Sequence, residues 1–434
     1  MRSARGKRVS VAANVCLVIL VCGLSRSGSD TGIRTLFCQS SPRAALRVQP
    51  IQQSVQDRSA TTLRQSVAGD DDEVDAAAVS VKQQPKGAVG RLGLAARKVA
   101  GWLSADGQEW VVPVEAWIYR KNSRRHSKRM TLCRKLMMEL WHGIKDWDEE
   151  GRKRYEWMGR FVFRAYTFRG AVHNEQLEVQ FDGEDEWRPL PPTDRRGRTQ
   201  ANFAVPLDLK SIREGSTSLN LDYKIRLLAE QQEVQSTALL QQPEGILVIS
   251  DIDDTVKVTE VYKGESQVVR NTFVNEFESV PGMAQLFSTW ESDLNASFAF
   301  VSNSPFEFQE PLAEFLTYSG FPSSTLHLRP LKTPKDQRAK FKPDAIESIL
   351  KNFPQRRVIL VGDSGERDPY IYADILRNHP QQIAKIFIRQ VDASMPVNAE
   401  AFDGLPLHLW QVFQEPAEVE LPLDLLQEQG MLTE

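Results

Sequence analysis

From residue 245 onward the chain is punctuated by short, continuous apolar runs that each stop at polar residues. Ile246-Leu247-Val248-Ile249 stops at Ser250-Asp251, and Phe298-Ala299-Phe300-Val301 stops at Ser302-Asn303. Val358-Ile359-Leu360-Val361 stops at Gly362-Asp363, and Ile386-Phe387-Ile388 follows. Stretches with helical character at 307–318, 344–352 and 370–377 lie between the runs. Strands that are apolar on both sides and alternate with helices are buried on both faces. The pattern therefore predicts an α/β fold with a doubly wound, mostly parallel sheet over 243–405, followed by a C-terminal helix and tail over 406–434.

Upstream, the pattern changes. Segments 177–181, 203–207 and 219–227 alternate apolar with polar residues, the mark of strands with one buried face. Turn-forming stretches such as Asp182-Gly183-Glu184-Asp185 and Leu190-Pro191-Pro192-Thr193-Asp194 separate them. Residues 99–242 are thus predicted to form a β-sandwich-like domain. One helix over 128–147 interrupts it, with Leu132, Leu136, Leu140 and Ile144 four residues apart. Seven of the nine tryptophans lie between Trp102 and Trp187, which calls for a packed domain or an interface. Residues 26–98 are mostly polar, lack a sustained apolar period, and read as a flexible linker.

At the N-terminus, Arg2, Arg5, Lys7 and Arg8 precede an uncharged run with the apolar block 15–21. This is the layout of a signal peptide or N-terminal anchor over 1–25, and the block is shorter than the roughly 20 apolar residues a comfortable span requires. The expectation is an exported (periplasmic or extracellular) or membrane-anchored protein. The Arg- and Ser-rich continuation keeps an organellar destination as the alternative.

Composition narrows the class. At about 100–200 residues per domain, 434 residues favour two or three folded units. With 41% apolar and 26% charged residues, the chain can build a sizeable core, and wholly disordered, collagenous and coiled-coil readings fall away. A net charge of -3 gives no general attraction to nucleic acid, and no nucleic-acid partner is expected. Charge is nevertheless uneven. Eight Lys and Arg fall between Glu115 and Glu139 without an acid, and Met130, Met137, Met138, Trp141 and Trp147 lie beside them. A basic amphipathic helix can rest on an anionic membrane, while a solvated basic loop beside a packed helix is the other reading. The four cysteines form no CxxC pair, so neither zinc nor a disulfide scaffold is indicated.

The chemistry gathers at the ends of the apolar runs. In an open parallel sheet, ligands bind beyond the carboxyl ends of the strands at the point where strand order reverses. Asp251, Ser302 and Asp363 stand at three such ends; Asp253 follows Asp251 by two residues, and Asp368 follows Asp363 by five. Four carboxylates within about 5 Å of one another would repel by on the order of 3 kcal/mol per pair at an effective dielectric near 20. A hard divalent cation relieves that repulsion, and an oxygen-only ligand set points to Mg²⁺.

These residues resemble the haloacid-dehalogenase-like (HAD-like) phosphohydrolases. More narrowly, 248–257, 280–284, 301–305 and 361–369 resemble the catalytic domain of the actin-patch phosphatidate phosphatases, relatives of the lipins, over about 240–400. Leu190-Pro191-Pro192-Thr193-Asp194-Arg195-Arg196-Gly197 is similar to the sandwich that precedes this domain in bacterial members. The resemblance implies a HAD-like Rossmannoid sheet, Mg²⁺, and hydrolysis of phosphatidate through an aspartyl-phosphate. It implies Asp251 as nucleophile and Asp253 as the acid that protonates the leaving alkoxide and then activates water, with Thr255 orienting Asp253. Ser302 and Asn303 would hold phosphoryl oxygens. Asp251, Asp363, the backbone carbonyl of Asp253, and Asp368 directly or through water would bind the metal. For the phosphate-binding lysine the choice is Lys342, with Lys340 and Lys335 as alternatives. Two rival functions stay open: a phosphatase for a soluble phosphomonoester or phosphoprotein, and a non-catalytic lipid-binding or adhesion protein. Intact Asp251 and Asp253 argue against the second.

Overall fold

A computed structural model describes residues 92–120, 149, 172–206, 218–273, 275–330, 333–392, 394, 396–421 and 425, all within one compact unit of the chain. The N-terminal segment, most of the expected linker, the expected 128–147 helix and nearly all of the basic stretch lie outside these residues.

The carboxyl-terminal half is built on six strands: β9 (Ile246–Ser250), β10 (Ser297–Pro305), β11 (Ser324–Arg329), β12 (Arg357–Asp363), β13 (Ile383–Arg389) and β14 (Trp410–Phe413). Their order is β11-β10-β9-β12-β13-β14 and every pairing is parallel. The continuous apolar runs follow from burial on both faces. Ile246 and Val248 of β9, Phe298 and Phe300 of β10, and Ile359 and Val361 of β12 enter one core. The alternate residues Leu247, Ile249, Ala299, Val301, Val358 and Leu360 enter the other. Helices α2 (Met283–Leu294) and α3 (Gln309–Tyr318) cover the first face through Phe287, Trp290, Leu312 and Phe315. Helices α4 (Lys335–Asn352) and α5 (Asp368–Asn378) cover the second through Ile346, Ile349, Tyr372 and Ile375. A shorter helix, α1 (Glu265–Phe273), lies between β9 and α2 in the chain.

Two expectations are corrected. The helix expected from 344 begins at Lys335 and runs through Pro343, because burial against the sheet outweighs the hydrogen bond that a proline removes. Past residue 405 the chain forms 3-10 turns and the edge strand β14, whose Phe413 is buried, and of the helix expected within 406–434 only Leu425, which is helical, is among the described residues of 422–434. The linker expected to reach 98 ends sooner, since strand pairing starts at Leu92.

The upstream part comprises β1 (Leu92–Ala96), β2 (Val99–Leu103), β3 (Trp110–Arg120), β4 (Leu177–Phe181), β5 (Arg188–Pro189), β6 (Arg198–Val205), β7 (Ser218–Leu227) and β8 (Gln232–Gln241). They form one mixed eight-stranded sheet, β1-β3-β2-β8-β7-β4-β5, with β6 pairing β3. The joint is β2: Val99–Gly101 pair with β8, while Trp102 and Leu103 pair with β3. Alternating residues Val112, Val114 and Ile118 of β3 share a core with Val179, Phe181, Tyr223 and Ile225.

Candidate active site

Strand order reverses at β9, with β10 on one side and β12 on the other, which brings Asp251, Ser302 and Asp363 to one crevice. The chain beyond β9 turns sharply, and Asp254 takes a left-handed φ of 58° that aspartate tolerates better than most residues. Its carboxylate accepts the backbone N–H groups of Thr259, Glu260 and Val261 at 2.8, 2.5 and 2.6 Å. The loop is thereby closed on itself, and Arg389 anchors it by donating to the Asp254 carbonyl at 2.8 Å.

Asp251 is buried, and Lys342 Nζ, on α4, donates to its Oδ1 at 2.9 Å and to Asp368 Oδ1 at 2.5 Å. Asp251, Asp363 and Asp368 each offer a carboxylate oxygen within 4.8 Å of the other two. Gly362 makes this approach possible: a Cβ there would stand 2.4 Å from Asp368 Oδ2. Asp363 Oδ1 accepts the N–H groups of Gly365 and Glu366 at 2.6 and 3.2 Å, while its Oδ2 is buried without a hydrogen-bond partner.

Electrostatics follow from this crowding. Burial, reinforced by Asp368 and Asp251, holds the Asp363 carboxyl well above its ordinary range. Burial also raises Asp251, against the pull of Lys342. Glu366, 3.9 Å from Lys342, is pushed up to about 7 by burial, with Lys342 opposing. Burial alone would discharge Lys342, but Asp251 and Asp368 hold its ammonium well above the usual lysine range. Three buried carboxylates crowd one buried cation, and Asp363 Oδ2 is without a hydrogen-bond partner. This donor set fits a hard divalent cation.

Asp253 lies across the crevice and is bound differently. Thr259 Oγ1 donates to its Oδ1 at 2.6 Å, and Ser304 Oγ donates to Oδ2 at 2.8 Å, with Ser302 Oγ at 3.3 Å. Burial would raise this carboxyl, but Lys257 and the hydroxyls of Thr259 and Ser304 outweigh it and bring it below the ordinary range. Thr255 Oγ1 donates to Asp251 Oδ2 at 3.4 Å, while the hydroxyls on the Asp253 carboxylate are those of Thr259, Ser304 and Ser302. Of the lysine alternatives, Lys340 is exposed, and the side chain of Lys335 lies outside the described residues. Asn303 Oδ1 is buried without a hydrogen-bond partner, and its carbonyl accepts Arg329 Nε at 3.1 Å. Arg367 is exposed. Glu366, Thr259 and Ser304 escaped the sequence reading. Only Ser304 carried a signal, the two-residue spacing from Ser302.

Fold and site define an α/β protein with an acidic, lysine-containing centre at the carboxyl ends of its parallel strands. Residues 246–390 match the model of the family described as "Phosphatidate phosphatase APP1, catalytic domain". The chain is 35% identical over 160 residues to Phosphatidate phosphatase APP1 of Saccharomyces cerevisiae, covering 35% of this chain and 27% of that protein. It is also 35% identical over 154 residues to an uncharacterized protein of Schizosaccharomyces pombe, covering 34% of this chain and 25% of that one. The chain thus matches about a quarter of the length of these relatives. Among solved structures, a β-glucuronidase of Parabacteroides merdae aligns with a TM-score of 0.27 at 8% identity, covering 74% of this chain and 35% of that one. That likeness is too slight to bear on fold or function.

Proposed function

We propose that the protein is a Mg²⁺-dependent phosphatidate phosphatase that releases diacylglycerol and phosphate through an aspartyl-phosphate. The observation that carries this reading is the meeting of Asp251, Asp253, Lys342, Asp363 and Asp368 in one crevice of the segment that matches the phosphatase family. We read the parallel sheet as HAD-like and the eight-stranded sheet as a sandwich folded about β2. Residues 1–25 are proposed as an export or anchoring segment, and the basic stretch at 120–135 as a peripheral contact with anionic lipid.

Lys342 fixes Asp251 Oδ1, leaving Oδ2 to attack phosphorus as the bond to the glycerol oxygen breaks. Asp253, ionised before substrate binds, would take up a proton as the anionic phosphate enters and give it to that oxygen, then take a proton from the water that attacks the phosphorus and frees the Asp251 carboxylate. The hydroxyls of Thr259 and Ser304 hold the Asp253 carboxyl in place for both transfers. Ser302, Asn303 and Lys342 are proposed to grip the phosphoryl oxygens. Mg²⁺ would be held by Asp251, Asp363, Asp368 and the Asp253 carbonyl, where it would neutralise charge between nucleophile and phosphate.

The test compares phosphate release from phosphatidate in mixed micelles and from soluble phosphomonoesters, with and without Mg²⁺. Asp251→Asn, which keeps shape but loses the nucleophile, is expected to abolish turnover and covalent trapping of phosphate. Appreciable residual turnover in that variant would exclude the mechanism, and preference for a soluble substrate would replace phosphatidate.

A further inference from the structure

The upstream part of the chain grips a two-residue handle, Phe306 and Glu307, just after the Ser302–Ser304 segment. The register of β10 against β11 shifts between Ser302, paired with Leu328, and Pro305, paired with Arg329, so Asn303 and Ser304 lie between them as a bulge. The next three residues, Phe306–Phe308, close into a buried 3-10 turn. That turn is gripped from the other domain. The Arg198 guanidinium stands 4.2 Å from the Phe306 ring centroid and the Arg97 guanidinium 5.4 Å, and Trp117 meets the same ring edge-on at 6.1 Å. Glu307 is 9% exposed and lies 3.8 Å from Arg198. Arg198 is itself held in register, paired with Trp117 across β3 and β6. Just before it, Gly197 has a φ of +77° and no space for a side chain, since a Cβ would stand 2.3 Å from the Ile118 carbonyl oxygen.

Packing alone does not call for this arrangement. A buried ring is satisfied by apolar neighbours, and a buried carboxylate beside a cation carries a desolvation cost that an apolar pair avoids. What a cation over a ring and a charged pair add is direction. Ser302 and Ser304, four and two residues before the handle, both donate to Asp253, and hydroxyls in such roles must be held to within about 0.5 Å.

We propose that Arg198 is a positioning residue: by gripping Phe306 and Glu307 it sets the Ser302–Ser304 loop, so that the upstream domain fixes the phosphoryl-binding side of the crevice. This rests on the reading of that loop under Proposed function.

The test uses the full chain and the variants Arg198→Met, Arg198→Lys and Glu307→Gln. Amide hydrogen exchange of 302–304 is measured beside that of β9, together with KM and kcat on phosphatidate and inhibition by inorganic phosphate. For Arg198→Met, exchange in the loop is expected to rise about tenfold with β9 unchanged, and KM and the phosphate inhibition constant about tenfold with a smaller effect on kcat, as befits lost positioning of the bound group. Arg198→Lys should restore most of both. Unchanged loop exchange in folded Arg198→Met would overturn the proposal, as would faster exchange with KM and phosphate inhibition unmoved. Should Arg198→Met fail to fold, Glu307→Gln, which keeps shape and removes charge, carries the same two readouts. If the unmodified protein neither hydrolyses a phosphomonoester nor binds phosphate, the active-site reading fails, and loop exchange alone still decides whether Arg198 sets the loop.

Discussion

Replacing Lys342 with Met tests the central electrostatic argument. The Lys342 side chain is 1% exposed, and Asp251 and Asp368 beside it are 1% and 0% exposed. Methionine fills nearly the same volume, so the change removes a charge rather than creating a cavity. Taking away one partner of a buried pair costs about 3–5 kcal/mol, because the other charge is left without compensation. In a chelating buffer at pH 8, urea unfolding of Lys342→Met is expected to show a loss of that size. A divalent cation should then substitute for the missing ammonium. Because the variant site is one charge more negative, Mg²⁺ is expected to stabilise the variant more than the parent, where 100-fold excess over Kd is worth about 2.7 kcal/mol. A variant within about 0.5 kcal/mol of the parent in chelator would refute the claim that this lysine holds the acidic cluster together, since changes of that size are typical of surface sites. Equal stabilisation of both proteins by Mg²⁺ would refute the claim that lysine and metal share the same carboxylates.

Asp363→Ala, which removes the orphaned Oδ2, is expected to raise the Mg²⁺ concentration for half-maximal activity by more than about tenfold, about 1.4 kcal/mol of binding. A Mg²⁺ titration checks it, and an unmoved midpoint counts against Asp363 as a ligand. His327, on β11, is kept near pKa 4 by burial and by Arg97, with Glu115 opposing. Its unfolded pKa is about 6.5, so the unfolded chain binds the extra proton between those values; stability is fully present above about 6.5 and falls toward 4 by about 1–3 kcal/mol. His327→Gln should remove that slope from stability measured between pH 4 and 7, and parallel curves would exclude it. Changing Arg124, Arg125, Lys128 and Arg129 to Gln is expected to lower vesicle binding and activity on phosphatidate in anionic vesicles, at about 1 kcal/mol per charge near the surface, while leaving soluble-substrate hydrolysis unchanged. Equal loss on both substrates would give the stretch a folding role instead.

The parallel sheet and the residues at its strand ends were legible in the chain because both depend on short-range patterns. A strand buried on both faces must be apolar at every position, and the residue that follows it must be polar if it faces a crevice; Asp251, Ser302 and Asp363 satisfy both conditions. Edge strands lack that signature. β11 reads Ser-Thr-Leu-His-Leu-Arg and β14 Trp-Gln-Val-Phe, and each becomes a strand only because a neighbour offers unpaired backbone groups. Helix phase distinguishes the candidate lysines. Lys342 lies one turn before the apolar Ile346, a spacing legible in the chain, and in α4, which runs through Pro343, Lys342 is buried whereas Lys340, two residues earlier, is exposed. Thr259, Ser304 and Glu366 join the site through a left-handed turn at Asp254, a bulge at the end of β10 and the loop after β12. Arg198 packs on Phe306 and Glu307 from β6 of the upstream sheet. Chain order determined which residues end the strands; packing across elements distant in sequence decided which hydroxyls and charges those residues meet.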